Sequence, residues 1–118
     1  MGDATRCSDA LRGGLTPTVR HNGENLMIVG SLRVRLFVRE SRSLKDKRQV
    51  VKGIKDKIHN NFNVSIAEIE AEDHRQLVVL GMAMVSNEVS HVKKAFEQIV
   101  AAMRVHPIAE FIDHEIEI

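Results

Sequence analysis

Cysteine is nearly absent from this 118-residue chain. Cys7 stands alone, so there can be no internal disulfide framework and no Cys-x-x-Cys zinc pair, which fits a reducing compartment. Long apolar runs are missing too. None approaches the ~18 residues of a membrane span, and the N-terminus lacks the apolar segment of a secretory signal. A soluble, cytoplasmic protein without membrane contact is expected. An excess of one charge is also missing, because the formal net charge is only +1. That balance hides an asymmetry. Residues 27–63 hold ten Lys/Arg against three Asp/Glu, whereas residues 64–118 hold four against ten. Such a split suggests either a polyanion partner for the basic half or pairing of the two halves within or between subunits.

At this length, with 43% apolar residues, the chain supports one domain and one core. Residues 1–26 mix Gly, Thr, Asn and charge without periodicity and are expected to be an unstructured tail. From Met27 the pattern changes. Ile28, Gly30, Leu32, Val34, Leu36 and Val38 alternate with Ser31, Arg33, Arg35 and Phe37, the signature of a half-buried strand. Ser43 can cap a helix over Leu44 to Asn61, with Asp46 as an approximate capping box. The buried stripe of that helix is Val50, Val51, Ile54, Ile58 and Phe62. Two further strand-like runs, "NVSIAEIEAE" and "QLVVLGMAMVSN", are joined by the polar Asp73 to Arg75. The second of these is apolar on both faces, as for a central strand. Ser86 or Asn87 can cap a second helix carrying Val89, Val92, Phe96, Ile99 and Met103, which Pro107 ends. The last run alternates, with Ile112, His114, Ile116 and Ile118 expected on one face and Phe111, Asp113, Glu115 and Glu117 on the other. The order βαββαβ predicts a ferredoxin-like α/β sandwich over residues 27–118: a four-stranded antiparallel sheet in strand order 4-1-3-2, with both helices on one face.

Missing motifs narrow the chemistry. None of the four phenylalanines lies on the third strand, where an RNA-recognition-motif sheet needs stacking aromatics, and there is no GxxG loop. The first loop, "VRESRSLKDKR", has no glycine with which to cradle phosphate as an acylphosphatase does. No GxxxxGK[ST] loop, Ser/His/Asp set or clustered metal ligands occur. No metal, cofactor or catalytic residue is therefore expected, and the protein is read as a non-enzyme. In the predicted sheet Arg33 and Arg35 face the carboxylates of strand four, which favours structural pairing.

The first helix is different. Lys45, Arg48, Lys52, Lys55 and His59 follow one another at three- and four-residue steps, so neighbouring like charges share a flank at a cost of roughly 0.2–0.5 kcal/mol per pair. Arg39, Arg42 and Lys47 cluster with them near the helix N-terminus, where free N–H groups also favour phosphate. The stripe fits RNA or another polyanion, an acidic protein surface, or simply a solvated face. Phosphate contacts bring affinity with little sequence choice, so no DNA specificity is expected. Lys47 stands apart, because by helical angle it falls on the apolar line and must either snorkel past the core edge or reach into a cleft.

The segments "GSLRVRLFV", "SRSLKDKRQVVKGIKDKI", "NFNVSIAE" and "VVLGMAMVSN" resemble the YlxP-like family of small uncharacterised bacterial proteins over about Met27 to Ile118. The resemblance implies a ferredoxin-like fold. It also implies a link to ribosome maturation or translation, since genes of the family often neighbour those of ribosome-binding factor A and translation initiation factor 2. The possible partner is then rRNA or a ribosomal particle. A homodimeric interaction module is the rival reading and a small-molecule enzyme the third. A homodimer is expected independently, because helices on one side leave the other sheet face uncovered.

Overall fold

Alternating β-branched and aliphatic residues put the longest strand at the centre of the molecule. In the computed structural model, which describes residues 18–21 and 25–118, β1 spans Thr18–His21 and β2 spans Asn25–Phe37. The chain continues through α1 (Leu44–Asn61), β3 (Ser65–Glu70), β4 (Leu77–Ser86), α2 (Val89–Arg104) and β5 (Glu110–Glu117). β2 pairs antiparallel with β4 on one side and with β5 on the other, and β3 pairs with β4. The four main strands are thus ordered β5-β2-β4-β3. This is the expected ferredoxin-like βαββαβ arrangement, with the expected strand order.

The core lies between the sheet and the two helices. Ile28, Leu32, Val34, Leu36 and Val38 of β2 and its exit pack with Val78, Leu80, Met82 and Met84 of β4 against Val51, Ile54 and Ile58 of α1 and Val92, Phe96, Ile99 and Met103 of α2. Gly30 matters here. A Cβ at this position would sit 2.5 Å from Val92 Cγ1 and 3.0 Å from Phe96 Cε2, so the absence of a side chain is what lets α2 approach β2.

Helix starts follow local chemistry. Ser43 caps α1 by accepting a hydrogen bond from Asp46 N–H at 3.2 Å. Asp46 closes the box one residue earlier than expected, accepting from Arg42 N–H at 3.2 Å. α2 begins later than its sequence suggests. Its N-cap is Glu88, which provides no side-chain cap, while the Ser86 hydroxyl accepts from Glu88 N–H at 3.2 Å.

Strand β5 departs from simple alternation. The register is Arg35↔Asp113 and then Leu36↔Phe111, so a bulge falls at Ile112. The extra residue flips the beginning of the strand. Phe111 therefore turns inward against the core, and Ile112 is 46% exposed, the reverse of the faces expected for these two residues. A second irregularity at Ile69 in β3 brings Glu70 opposite Val79.

Of the segment expected to be a tail, residues 1–17 and 22–24 lie outside the described residues. Thr18–His21 pairs with the beginning of β2 in the register Thr18↔Ile28 to His21↔Asn25. β2 accordingly starts at Asn25 rather than Met27.

Candidate polyanion-binding surface

The eight cations singled out in the sequence divide into three groups by where the fold puts them. On α1, Lys45, Arg48, Lys52 and His59 are exposed and Lys55 is half-buried. From Lys45 to His59 the stripe runs for about 21 Å at 1.5 Å rise per residue. It lies on the flank turned away from α2, because the opposite flank, with Lys57 and Asn61, faces Ala102, Met103 and His106 across the interhelical groove. Lys52 has a carboxylate partner one turn on, Asp56 at 3.1 Å. Among the described residues no carboxylate pairs with Lys45, Arg48 or Lys55. Arg42, exposed just before the cap, extends the stripe at its N-terminal end.

Arg39 belongs elsewhere. It donates to Glu110 at 2.6 and 3.1 Å and lies 5.7 Å from the Phe37 ring centroid. This bond ties the end of β2 to the beginning of β5, raises the Arg39 pKa and holds the Glu110 carboxyl below its ordinary range. Arg39 is neutralised in the fold, whereas among the described residues Lys45, Arg48 and Lys55 of α1 have no carboxylate partner.

Lys47 leaves the surface altogether. It is fully buried, and its ammonium donates to the backbone carbonyls of Ala71 at 2.7 Å, Glu72 at 3.2 Å and Leu77 at 3.3 Å. Glu68 Oε2 lies 2.9 Å away. That approach is off the hydrogen-bond axis, so Oε2 makes no directed bond and is held by charge. Lys47 thus reaches inward to a cage built by the β3–β4 connection and presents nothing to a ligand. Ala71, whose carbonyl makes the shortest contact, has φ 62°, a left-handed conformation that a non-glycine residue adopts at a cost. Of the two possibilities open to a lysine on the apolar line, the structure selects the cleft, and Lys47 does not join the stripe.

The sheet face opposite the helices is a ladder of paired charges. Arg35 forms a two-pronged bond with Asp113, one prong at 2.8 Å, which raises the arginine pKa and lowers that of the aspartate. Arg33 bonds chiefly to Glu70 of β3, at 2.7 and 2.8 Å, and only loosely to Glu115 at 3.9 Å. The expected pairing across β2 and β5 therefore holds for Arg35, whereas Arg33 reaches diagonally over β4. Gly81 of β4 is the register partner of Arg33.

Two histidines act as backbone acceptors. His74 Nδ1 accepts from Gln76 and Leu77 N–H at 3.1 and 2.9 Å, and His106 Nδ1 from Ile108 and Ala109 N–H at 3.2 and 3.1 Å. Burial, and secondarily the charge of Lys57, push the His106 pKa down. Among the described residues no group of His, Cys, Asp or Glu has the geometry of a metal site, and no helix is long and apolar enough to cross a membrane.

Fold and surface together define a small ferredoxin-like domain with a cationic helix flank and a charge-paired open sheet. Residues 29–116 match the family described as "Protein of unknown function (DUF503)", and the chain belongs to that family. It is also similar to the "Uncharacterized protein YlxP" of Bacillus subtilis (strain 168), with 32% identity over 83 residues that cover 70% of this chain and 90% of the relative.

Proposed function

We propose that this protein is a non-enzymatic accessory factor of ribosome maturation or translation, and that it binds RNA along α1 through Lys45, Arg48, Lys52 and Lys55, with Arg42 and His59 at the two ends. One contrast carries the reading. Arg33, Arg35 and Arg39 are each matched with a carboxylate, whereas among the described residues Lys45, Arg48 and Lys55 have none. A fold that neutralises its sheet cations while leaving a row of like charges on one helix accepts a local repulsive cost, which a polyphosphate would offset by counterion release. The neighbourhood implied by the family resemblance supplies the ribosomal context.

The test replaces Lys45, Arg48, Lys52 and Lys55 together by Gln, a good helix former that leaves α1 intact. Binding to rRNA fragments should weaken, and the slope of log K against log salt should become shallower by about 3, at ~0.7–0.9 per lost phosphate contact. An unchanged affinity and slope would reject the proposal.

A second reading, a homodimer joined through the open sheet face, is favoured by two exposed apolar side chains there, Val85 at 57% and Ile69 at 45%. Val78, Leu80, Met82 and Met84 already serve the helix-covered core, so the dimer would use Ile69, Ala83 and Val85. Light scattering at micromolar concentration distinguishes twice the chain mass of 13.3 kDa from the single chain.

A further inference from the structure

Just past the last turn of α1 lies a depression of about 370 Å³ between residues 61–63, the end of β4 and the first half of α2. Its volume falls in the ~300–1,000 Å³ range of small-ligand sites. The lining has three parts. Phe62, Met84 and Ala95 are its apolar residues, Asn61, Asn63 and Gln98 its amide-bearing ones, and His91 and Lys94 its basic ones. No carboxylate lines the depression.

Each part answers to one part of a nucleotide. Phe62 is half-buried rather than sealed in the core, and an aromatic beside a thioether offers a stacking surface to a flat base. Among the described residues no side-chain hydrogen bond engages the amides of Asn63 and Gln98, which leaves both donors and acceptors for a base edge. Lys94 supplies a positive charge and His91 a ring N–H for the phosphate. The stripe, on the flank turned away from α2, ends at His59, three residues before Phe62, so an RNA lying along it would turn round the C-terminal end of α1 to reach the depression.

Resting on the reading of α1 as an RNA-binding helix, we propose that this depression takes one unpaired nucleotide of the bound RNA, its base stacked on Phe62 and its phosphate held by Lys94 and His91. The helix stripe then supplies affinity without sequence choice, and the depression supplies a preference for single-stranded loops or bulges over duplex, because only an unstacked base can enter.

The experiment is fluorescence anisotropy with the full chain and two labelled RNAs: a stem closed by a loop of unpaired adenosines, and a blunt duplex of the same stem. The unaltered protein should bind the loop RNA about tenfold more tightly, within the range for one stacked base. Phe62→Leu and Lys94→Gln should each reduce that preference below about twofold and leave duplex binding unchanged. Phe62 touches the core edge, whereas Lys94 is exposed; the lysine variant therefore decides the matter even if the leucine variant folds poorly. Equal binding of the two RNAs by the unaltered protein, or a preference that survives Lys94→Gln, overturns the pocket while leaving the α1 reading intact. Binding to neither RNA rejects the α1 reading and the pocket's RNA with it. Adenosine monophosphate is the third probe: if it displaces nothing from the helix but shifts the amide resonances of Asn63 and Gln98 while loop preference is absent, the occupant is a free nucleotide and the RNA assignment falls.

Discussion

Replacing Lys47 by Met tests the cage beneath the β3–β4 connection. Methionine fills the volume of the lysine stem, so the substitution removes the ammonium without opening a large cavity. Two losses follow. Glu68, with a side chain only 15% exposed, keeps its carboxylate without the opposing charge 2.9 Å away, and the carbonyls of Ala71, Glu72 and Leu77 lose a donor. Water can reach part of the carbonyl set, because Glu72 is exposed and Ala71 and Leu77 are half-buried. The stranded carboxylate therefore dominates, and breaking one side of a buried pair costs about 3–5 kcal/mol. Against a total stability of ~5–15 kcal/mol for a domain, that is a large fraction.

Urea denaturation followed by circular dichroism measures the loss. A second variant separates the charge effect from packing. Lys47→Met combined with Glu68→Leu removes both charges, and since an apolar replacement of a buried pair is often neutral or stabilising, the double variant should recover at least ~1–2 kcal/mol of the single variant's loss. A loss below ~1 kcal/mol for Lys47→Met, or two losses that simply add, would refute the assignment of Lys47 and Glu68 as a coupled buried pair.

Other expectations follow from single sites. Gly30→Ala should destabilise by about 1–3 kcal/mol in the same assay, because the new methyl meets core atoms of Val92 and Phe96, whereas Gly81→Ala, whose nearest neighbour at 3.0 Å is the partly exposed Ile69, should cost much less. The lowered pKa of His106 means that the unfolded chain takes up the proton first. The stabilising share is present above the ordinary histidine value near 6.5 and is lost as pH falls from there through the folded value, so His106→Asn, which keeps an acceptor for Ile108 and Ala109 N–H, should remove that part of the slope in a pH series of melts. Asp113 and Glu110 have depressed pKa values from Arg35 and Arg39; their share is present above the ordinary carboxylate range near 4 and disappears on acidification, and Arg35→Gln should flatten the acid limb.

How far the sequence reaches depends on whether a residue's role is set by local pattern or by distant partners. Helix α1 is legible because its signals are local: the Ser43 cap, the 3.6-residue apolar period and the exit near Asn61. The strand order is legible because alternation and chain order leave few topologies. The bulge at Ile112 is not: the adjacent Phe111 and Ile112 break the alternation of "EFIDHEIE", but only pairing with β2 shows which residue is the extra one. Arg33 is legible only in part: it faces Glu115 as expected, at 3.9 Å, but makes its tighter bond elsewhere. The closer partner, Glu70, is 37 positions away on β3, reached across a glycine on the strand between.

Lys47 is the instructive case, because the same helical angle that set it apart from the stripe also decides how the stripe must be read. A cation on the apolar line has to find acceptors inside the fold, and the β3–β4 connection offers three carbonyls and Glu68. Counting it among RNA ligands would add a phosphate contact that geometry forbids, and Arg39, engaged with Glu110, is already charge-matched. The salt dependence of RNA binding should therefore report four stripe cations, with at most small additions from Arg42 and His59. Lys47→Met should weaken RNA binding only insofar as it unfolds the protein, which separates a cation that holds the fold from those that the fold leaves open to a ligand.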